Sequence, residues 1–286
     1  MRVDARDDAL RDDAFDALVG FVDAYVKIVD AGEEPTSELW SPSDETFEDG
    51  TGDRATRASL TSAFWCPVDA FDAPRCAVEA AIGALARSGR ATASTARIVG
   101  AEWWIQDVAH DEPPKVYHTD CDVVMCDDGS SKRSHPTSAS VLYVAGDRGG
   151  GATCVFDQTT SRANAGELEP TTPSVVCACG VKKNRFFVFD GDRWHGVLHD
   201  ASEFRGQRVT LLVNWWTSRP AGARSLPKRF VVDGGRCAVA QSGSMTKVER
   251  TVVSGRAFAD DASSWSAQRL PTDAASGVVE YRYEAP

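Results

Sequence analysis

The sequence predicts a mainly β chain with flanking helices, of the sandwich or jelly-roll class. Three observations predict it. From about residue 96 onward, short runs of β-branched and aromatic residues alternate with Gly, Asp and Ser clusters. No stretch with a 3.6-residue period separates those runs, which argues against alternating βαβ units. Helical periodicity is confined to the first ninety or so residues. With 286 residues, 42% of them hydrophobic, the chain is long enough to bury its own core, so folding alone requires neither a disulfide nor a metal.

In chain order, the first thirty residues read as one helix. Leu10, Ala14, Leu18, Phe21 or Val22, Tyr25 and Val29 recur at spacings of three and four, Asp residues fill the other face, and Gly32 suits the stop. Residues 33–60 are polar and acidic, with isolated Trp40 and Phe47, and read as a long loop, of the kind that serves as a lid or linker. A second helix is expected over about 73–88, capped by Asp72, with Pro74 in its first turn and Gly89 at its end. Strand-like runs follow at Arg97–Gln106, Val116–His118, Val123–Cys126, Ser138–Val144, Thr153–Phe156, Val175–Cys179, Arg185–Phe189, Trp194–Leu198 and Arg208–Trp216. Asp190-Gly191 signals a turn between two of them. Beyond 217 come an irregular region, weaker strand candidates near 228–232 and 246–253, and the strand-like tail Val278–Tyr283. The expected organisation is an N-terminal helical and loop region (1–95) packing on a β core (96–217), followed by a C-terminal extension (218–286).

The net charge of -11 argues against a phosphate-backbone binder, because it supplies no overall basic field, and leaves a local basic pocket open. No apolar run reaches the roughly 18–20 residues that a membrane helix needs. The N-terminus has no apolar signal core and is rich in Asp, unlike a transit peptide, so a cytoplasmic protein is expected. The eight cysteines form no C-x-x-C pair and read as small buried thiols in a reducing compartment.

Five histidines limit the chemistry: His110, His118, His135, His195 and His199. In His118-Thr119-Asp120, residues i and i+2 share a face if the segment is extended, so one imidazole and one carboxylate can meet a single ion. In so Asp-rich a chain the pattern also arises by chance. His195 follows the apolar run Arg185–Phe189 and the Asp190-Gly191 turn. Two histidines and one carboxylate that leave coordination positions open form the facial triad of non-haem Fe(II) oxygenases. Arg208 and Thr210 share one face of the run Arg208–Trp216. A buried guanidinium there fits a carboxylate, and the Thr210 hydroxyl can add a hydrogen bond to the same group; the bland alternative is a strand-edge charge.

The order of these pieces resembles that of the Fe(II)- and 2-oxoglutarate-dependent dioxygenases, most closely the prolyl 4-hydroxylase-like branch. The resembling stretches are Glu102-Trp103-Trp104-Ile105-Gln106, Val116-Tyr117-His118-Thr119-Asp120, Ser140-Val141-Leu142-Tyr143-Val144, Gly149 through Phe156, Arg185 through Val197, and Arg208 through Trp216, within about residues 97–217. The resemblance implies a double-stranded β-helix, the cupin-like jelly roll, with the metal in its mouth. It implies His118, Asp120 and His195 as iron ligands and Arg208 as the partner of the distal carboxylate of 2-oxoglutarate. Tyr143 matches a tyrosine that often hydrogen-bonds that carboxylate, and Thr210 fits the R-x-[ST] variant. The branch more often carries Lys where Arg208 stands, and Asn214 lies where relatives often place an aromatic residue. The implied cofactors are Fe(II), 2-oxoglutarate as co-substrate and O2. The implied reaction oxidises the keto acid to succinate and carbon dioxide while hydroxylating a peptidyl proline, a free amino acid or another small metabolite. Asp120 favours hydroxylation over halogenation, because halogenating relatives replace this carboxylate with a small residue.

Asp122 extends the pattern to H-x-D-x-D and reads as a support for the site, a substrate contact or a solvated loop residue. Trp103 and Trp104 point to opposite faces of a strand, one to the core, leaving Trp104 as a candidate to line the mouth. Gly149-Gly150-Gly151 lacks the helix and Lys-[Ser/Thr] of a phosphate loop and reads as a turn or a close backbone approach. The expected partner is a small-molecule or peptide substrate, with neither nucleic acid nor membrane. The rival readings are a non-catalytic jelly-roll binding module and a cupin-type metalloprotein that uses no keto acid.

Overall fold

The structure is a computed structural model and describes residues 1–30, 63–91, 97–108, 117–125, 131–146, 151–160, 167–197, 208–255 and 277–283. Strand β1 (Val3–Asp7) precedes helix α1 (Asp12–Asp30), followed by β2 (Phe64–Pro67), a 3-10 turn at Val68–Phe71 and helix α2 (Ala77–Arg87). Next come β3 (Gly100–Val108), the hairpin of β4 (Asp122–Met125) and β5 (Ser131–Ser134), then β6 (Ser138–Ala145) and β7 (Thr153–Thr160). β8 (Leu168–Glu169), β9 (Val175–Cys179), β10 (Phe186–Asp190), β11 (Arg193–Val197) and β12 (Arg208–Trp216) complete the central part. β13 (Arg224–Ser225), β14 (Thr246–Lys247), β15 (Arg250–Gly255) and β16 (Val278–Tyr283) follow.

The larger sheet has the order β13-β2-β3-β12-β6-β10-β1-β14, and the smaller one β11-β7-β9-β16-β15 with β8 beside β7. From β3 onward the chain passes repeatedly between them. β3, β6, β10 and β12 lie in the larger sheet, while β7, β9 and β11 lie in the smaller, which His118 joins through a bridge to His195. This winding is the double-stranded β-helix, a jelly roll, and β12 closes it between β3 and β6.

Alternation along β12 explains two cores. Val209, Leu211, Val213 and Trp215 pack with Leu18, Ile82 and other residues of α1 and α2, while Leu212 faces the space between the sheets. There Val141, Tyr143 and Phe187 of the larger sheet meet Val155, Cys177 and Cys179 of the smaller. Burial on both faces is why β9 reads as a continuous apolar run. The Asp190-Gly191 turn joins β10 to β11, and a Cβ at Gly191 would lie 2.2 Å from the Pro136 carbonyl oxygen.

Several expectations are corrected. The first thirty residues are not one helix: Val3–Asp7 pairs antiparallel with β10, burying Val3 and Ala5, and the helix starts at Asp12. Asn184 separates the two by accepting the Leu10 N–H and donating to the Leu10 carbonyl. Helix α2 starts at Ala77 rather than near 73, with no cap from Asp72; the Glu79 carboxylate in its first turn instead accepts the backbone N–H of Arg75, one residue before the N-cap Cys76, at 2.7 Å. Gly89, at φ 68°, does end it. Residues 228–230 form a 3-10 turn rather than a strand, the 246–253 candidate divides into β14 and β15, and β2 and β5 were not expected. The loop at 33–60, Gly32, His110, His199 and Cys126 lie outside the described residues. The described cysteines are free, and among the described residues no helix is long and apolar enough to cross a membrane.

One buried ion pair ties β1 to the barrel. Arg185, 1% exposed, donates from Nε to Asp7 Oδ1 at 2.7 Å and from Nη1 to the Gly180 carbonyl at 2.9 Å. Burial works to raise the Asp7 pKa, but hydrogen bonds and charge from Arg185 and Lys182 outweigh it and hold the carboxyl below its ordinary range. Asp7→Ala strands the buried guanidinium and should cost about 3 kcal/mol, read from the denaturant midpoint. The pair's contribution is present above the unfolded-state carboxylate pKa and is lost as pH falls through the lower folded-state value. The gap between wild type and Asp7→Ala should therefore close in acid.

Candidate metal centre

His118 and His195 are joined by two backbone hydrogen bonds, His118 N–H to His195 O at 2.9 Å and His195 N–H to His118 O at 2.8 Å. Residues directly opposite in an antiparallel pair project to the same side. The imidazoles accordingly lie side by side, with ring centroids 4.6 Å apart. The partner strand sets their position: His195 lies opposite Val155 of β7, after a register shift between Arg193 and His195 that re-aims β11. Gly196 lets the preceding segment approach, since a Cβ there would sit 2.4 Å from Cδ1 of Tyr117.

Asp120 follows two residues after His118 and turns back to the same place. Its Oδ1 is 3.3 Å from His118 Nε2, and its Oδ2 is 3.6 Å from His195 Nε2. The three donor atoms all lie within 4.8 Å of one another, the one such group of three found among the described residues. His118 is half-exposed on the open side, whereas His195 is buried.

The protonation states suit a cation. His195 Nδ1 lies 2.8 Å from the Arg193 carbonyl, so the proton sits on Nδ1 and the Nε2 lone pair faces Asp120. Burial, against the nearby Asp120 charge, pushes the His195 pKa down and favours the neutral ring. For Asp120 burial works the other way, but the two imidazoles and the Asn214 amide outweigh it, keeping the carboxylate ionised well below its ordinary range. A neutral imidazole and an ionised carboxylate are the forms that bind metals. The donor set, two imidazole nitrogens and one carboxylate oxygen, fits Fe(II).

Arg208 is 2% exposed and has no carboxylate partner among the described residues. Nε donates to the Gly151 carbonyl at 3.0 Å, Nη2 to Thr153 Oγ1 at 3.0 Å, and Nη1 weakly to Gln106 Oε1 at 3.4 Å. A guanidinium carries about five N–H donors, so part of the fork stays available to an anion. Burial lowers its pKa from the usual arginine value. Thr153 lies opposite Val197, and Val155 opposite His195. The two sites are thus one same-face step apart along β7, roughly 7 Å at the ordinary strand rise, a span suited to a short dicarboxylate. Gly151, at φ 67°, makes the close approach possible, because a Cβ there would sit 2.9 Å from Arg208 Cδ.

The structure places the other sequence candidates as follows. The Tyr143 hydroxyl donates to the Cys179 carbonyl at 3.1 Å and sits 2.7 Å from Thr153 Oγ1. Its single proton is used there, so Tyr143 supports Arg208 through Thr153 and presents its ring 5.4 Å from the guanidinium. Thr210, fully buried two residues from Arg208, directs its hydroxyl to the Gln106 carbonyl at 3.4 Å. The Asp122 carboxylate accepts the Ala221 N–H, 3.2 Å from each oxygen. Trp103 is in the core under the helices, and Trp104, half-buried on the opposite face of β3, pairs in register with Leu212.

Asn214, His135 and Glu102 were missed as parts of the site. Asn214 Nδ2 donates to Asp120 Oδ2 at 3.0 Å, and His135 Nδ1 donates to the Asp120 backbone oxygen at 2.7 Å. Glu102 accepts the Trp216 indole N–H at 3.1 Å; burial first, then the Asp120 charge, push its pKa up to about 7 against hydrogen bonds from Trp216 and Asn214. Alternation along β12 was the available signal, since it puts Asn214 on the face of Arg208 and Thr210.

No protein-family model matches the chain, and no curated protein matches it. Among solved structures, a prolyl-4-hydroxylase from Pseudomonas putida aligns over 75% of this chain and 91% of its own at 15% identity, with a TM-score of 0.40. HygX from Streptomyces hygroscopicus, with nickel and 2-oxoglutarate bound, aligns over 84% of this chain and 92% of its own at 11% identity and a TM-score of 0.36. HygX with nickel, 2-oxoglutarate and hygromycin B bound aligns over 66% and 98% at 12% identity and a TM-score of 0.32.

The close approach of Tyr117 to Gly196 gives a test of the bridge. Gly196→Ala should weaken Co(II) binding roughly tenfold or more by displacing His118 from His195, as measured by metal titration. Tyr117→Ala in the same chain should restore most of the affinity. Unchanged binding in the single variant would contradict the bridge as the device that sets the site.

Proposed function

We propose that the protein is a non-haem Fe(II)- and 2-oxoglutarate-dependent oxygenase that hydroxylates a peptidyl proline, a free amino acid or another small metabolite. The observation that carries this reading is the buried Arg208, without an acidic partner among the described residues, one strand step from the His195 of a His-Asp-His group. A buried charge of this kind is costly unless an anion joins it. A cupin-type metal site that uses no keto acid gives no reason for that charge.

His118, Asp120 and His195 would hold the iron, and Arg208 the distal carboxylate of 2-oxoglutarate. Bound together, iron and keto acid supply activation of O2 and the oxidising equivalents for attack on a substrate C–H bond. The chain itself contributes position and exclusion of water. Thr153 and the Gly151 carbonyl orient the Arg208 fork. Phe189, its ring centroid 4.9 Å from that of His195, and the buried Val155 form an apolar wall beside the site. The half-exposed edge of His118 marks the side from which substrate enters, and Trp104 on the inner face is its candidate contact. Asp122, which accepts the Ala221 N–H, is the second candidate contact.

The test is succinate release from 2-oxoglutarate in the presence of Fe(II) and O2, which many such enzymes show slowly without a second substrate. Wild type should release succinate, and Asp120→Ala or His118→Ala should not. Arg208→Ala should raise the 2-oxoglutarate concentration for half-maximal turnover roughly 10- to 100-fold, the worth of a charge-assisted pair. Activity with an unchanged keto-acid requirement in Arg208→Ala would remove the assigned role of that residue, and metal-dependent chemistry indifferent to 2-oxoglutarate would favour the cupin-type reading.

A further inference from the structure

We infer that Asn214 and Glu102 form a clamp that fixes the orientation of the Asp120 carboxylate, Asn214 being a positioning residue of the metal centre; the inference rests on the metal-centre reading above. Asn214 is 3% exposed and lies in register with Glu102 of β3 on one side and Ala139 of β6 on the other. Its amide nitrogen donates to Asp120 Oδ2 at 3.0 Å. Glu102 is anchored in turn, since its Oε2 accepts the indole N–H of the buried Trp216 at 3.1 Å. Two hydrogen bonds, Trp216 to Glu102 and Asn214 to Asp120, therefore flank one register pair, Glu102 opposite Asn214, on adjacent strands.

Each member has a physical task. A carboxylate turns easily about its last torsion, which has broad, roughly two-fold wells. With Oδ2 held from behind by Asn214, the carboxylate keeps Oδ1 at 3.3 Å from His118 Nε2, free of the clamp's donors. The backbone of the same residue is held separately by His135. An amide is a donor that carries no net charge, so it orients the carboxylate without neutralising it, as a Lys or Arg in its place would. Glu102 decides which end of the amide faces Asp120. With a carboxyl group on either side, that of Asp120 ionised, Asn214 is favoured to present its NH2 rather than its oxygen to Asp120. Groups that orient metal ligands in this way typically change metal affinity 10- to 100-fold when removed.

The experiment is a Co(II) titration of the metal-free full chain, followed by the visible d–d absorption of the bound ion, with the thermal midpoint of the metal-free protein measured alongside. Asn214→Leu, close in volume but without the donor, should weaken Co(II) binding by about 10- to 100-fold and alter the spectrum at saturation. Glu102→Leu, which leaves Asn214 in place but removes the acceptor that orients it, should do the same to a smaller extent and serves where Asn214→Leu does not fold. Glu102→Gln keeps an acceptor and should restore near-wild-type affinity and spectrum. Wild-type affinity and spectrum in both leucine variants, with Asp120→Ala still failing to bind, would overturn the clamp while leaving the metal centre. Co(II) binding that is absent in wild type or undiminished in Asp120→Ala would overturn the metal centre, and the clamp with it.

Discussion

The site depends on one short stretch of backbone pairing, the mutual hydrogen bonds of His118 and His195. Two such bonds contribute only about 1 kcal/mol each to net stability. Their importance is register. A slip by one residue turns every side chain to the other face of a strand, so the same two histidines would point away from each other. The bridge is kept in place by neighbours on both sides: β7 pairs with His195 and the residues after it, and the side chain missing at Gly196 leaves room for Tyr117. Once the bridge is set, Asp120 reaches the same point simply by standing two residues on.

Around that point the barrel accepts an unusual load of buried polar groups. Arg208, Thr210, His195 and Asn214 are all buried. Each is met by a specific neutral partner, a carbonyl, hydroxyl or amide, except Asn214, which donates to the Asp120 carboxylate. A chain selected only for stability would fill the interior with apolar side chains of similar volume. The larger apolar cluster, under α1 and α2, is where this chain does so. Stability and chemistry are thus divided between the two faces of the same sheet.

Much of this was legible in the sequence where burial is two-sided. The runs at 175–179, 208–216 and 278–283 coincide with β9, β12 and β16: β9 is apolar on both faces, while β12 and β16 each alternate an apolar face with one that carries polar residues. β1 was not legible. Its alternation of Val3 and Ala5 is brief, and the strong helical period that begins nearby extends over it when read alone. At the site, i and i+2 spacing placed His118 beside Asp120, and motif order added His195 and Arg208. Thr153, Asn214 and Glu102 could not be paired from spacing. Their contacts cross strands that are distant in sequence, and which polar residue meets which depends on registers that no local pattern encodes.

The most direct measurement is an anaerobic titration of metal-free protein with Fe(II) and then 2-oxoglutarate, followed by visible absorption. If both imidazoles and the carboxylate hold one ferrous ion, and the keto acid chelates that ion with its far end on Arg208, a metal-to-ligand charge-transfer band must grow only when both are present. Saturation with Fe(II) and 2-oxoglutarate without such a band would contradict the account at its centre.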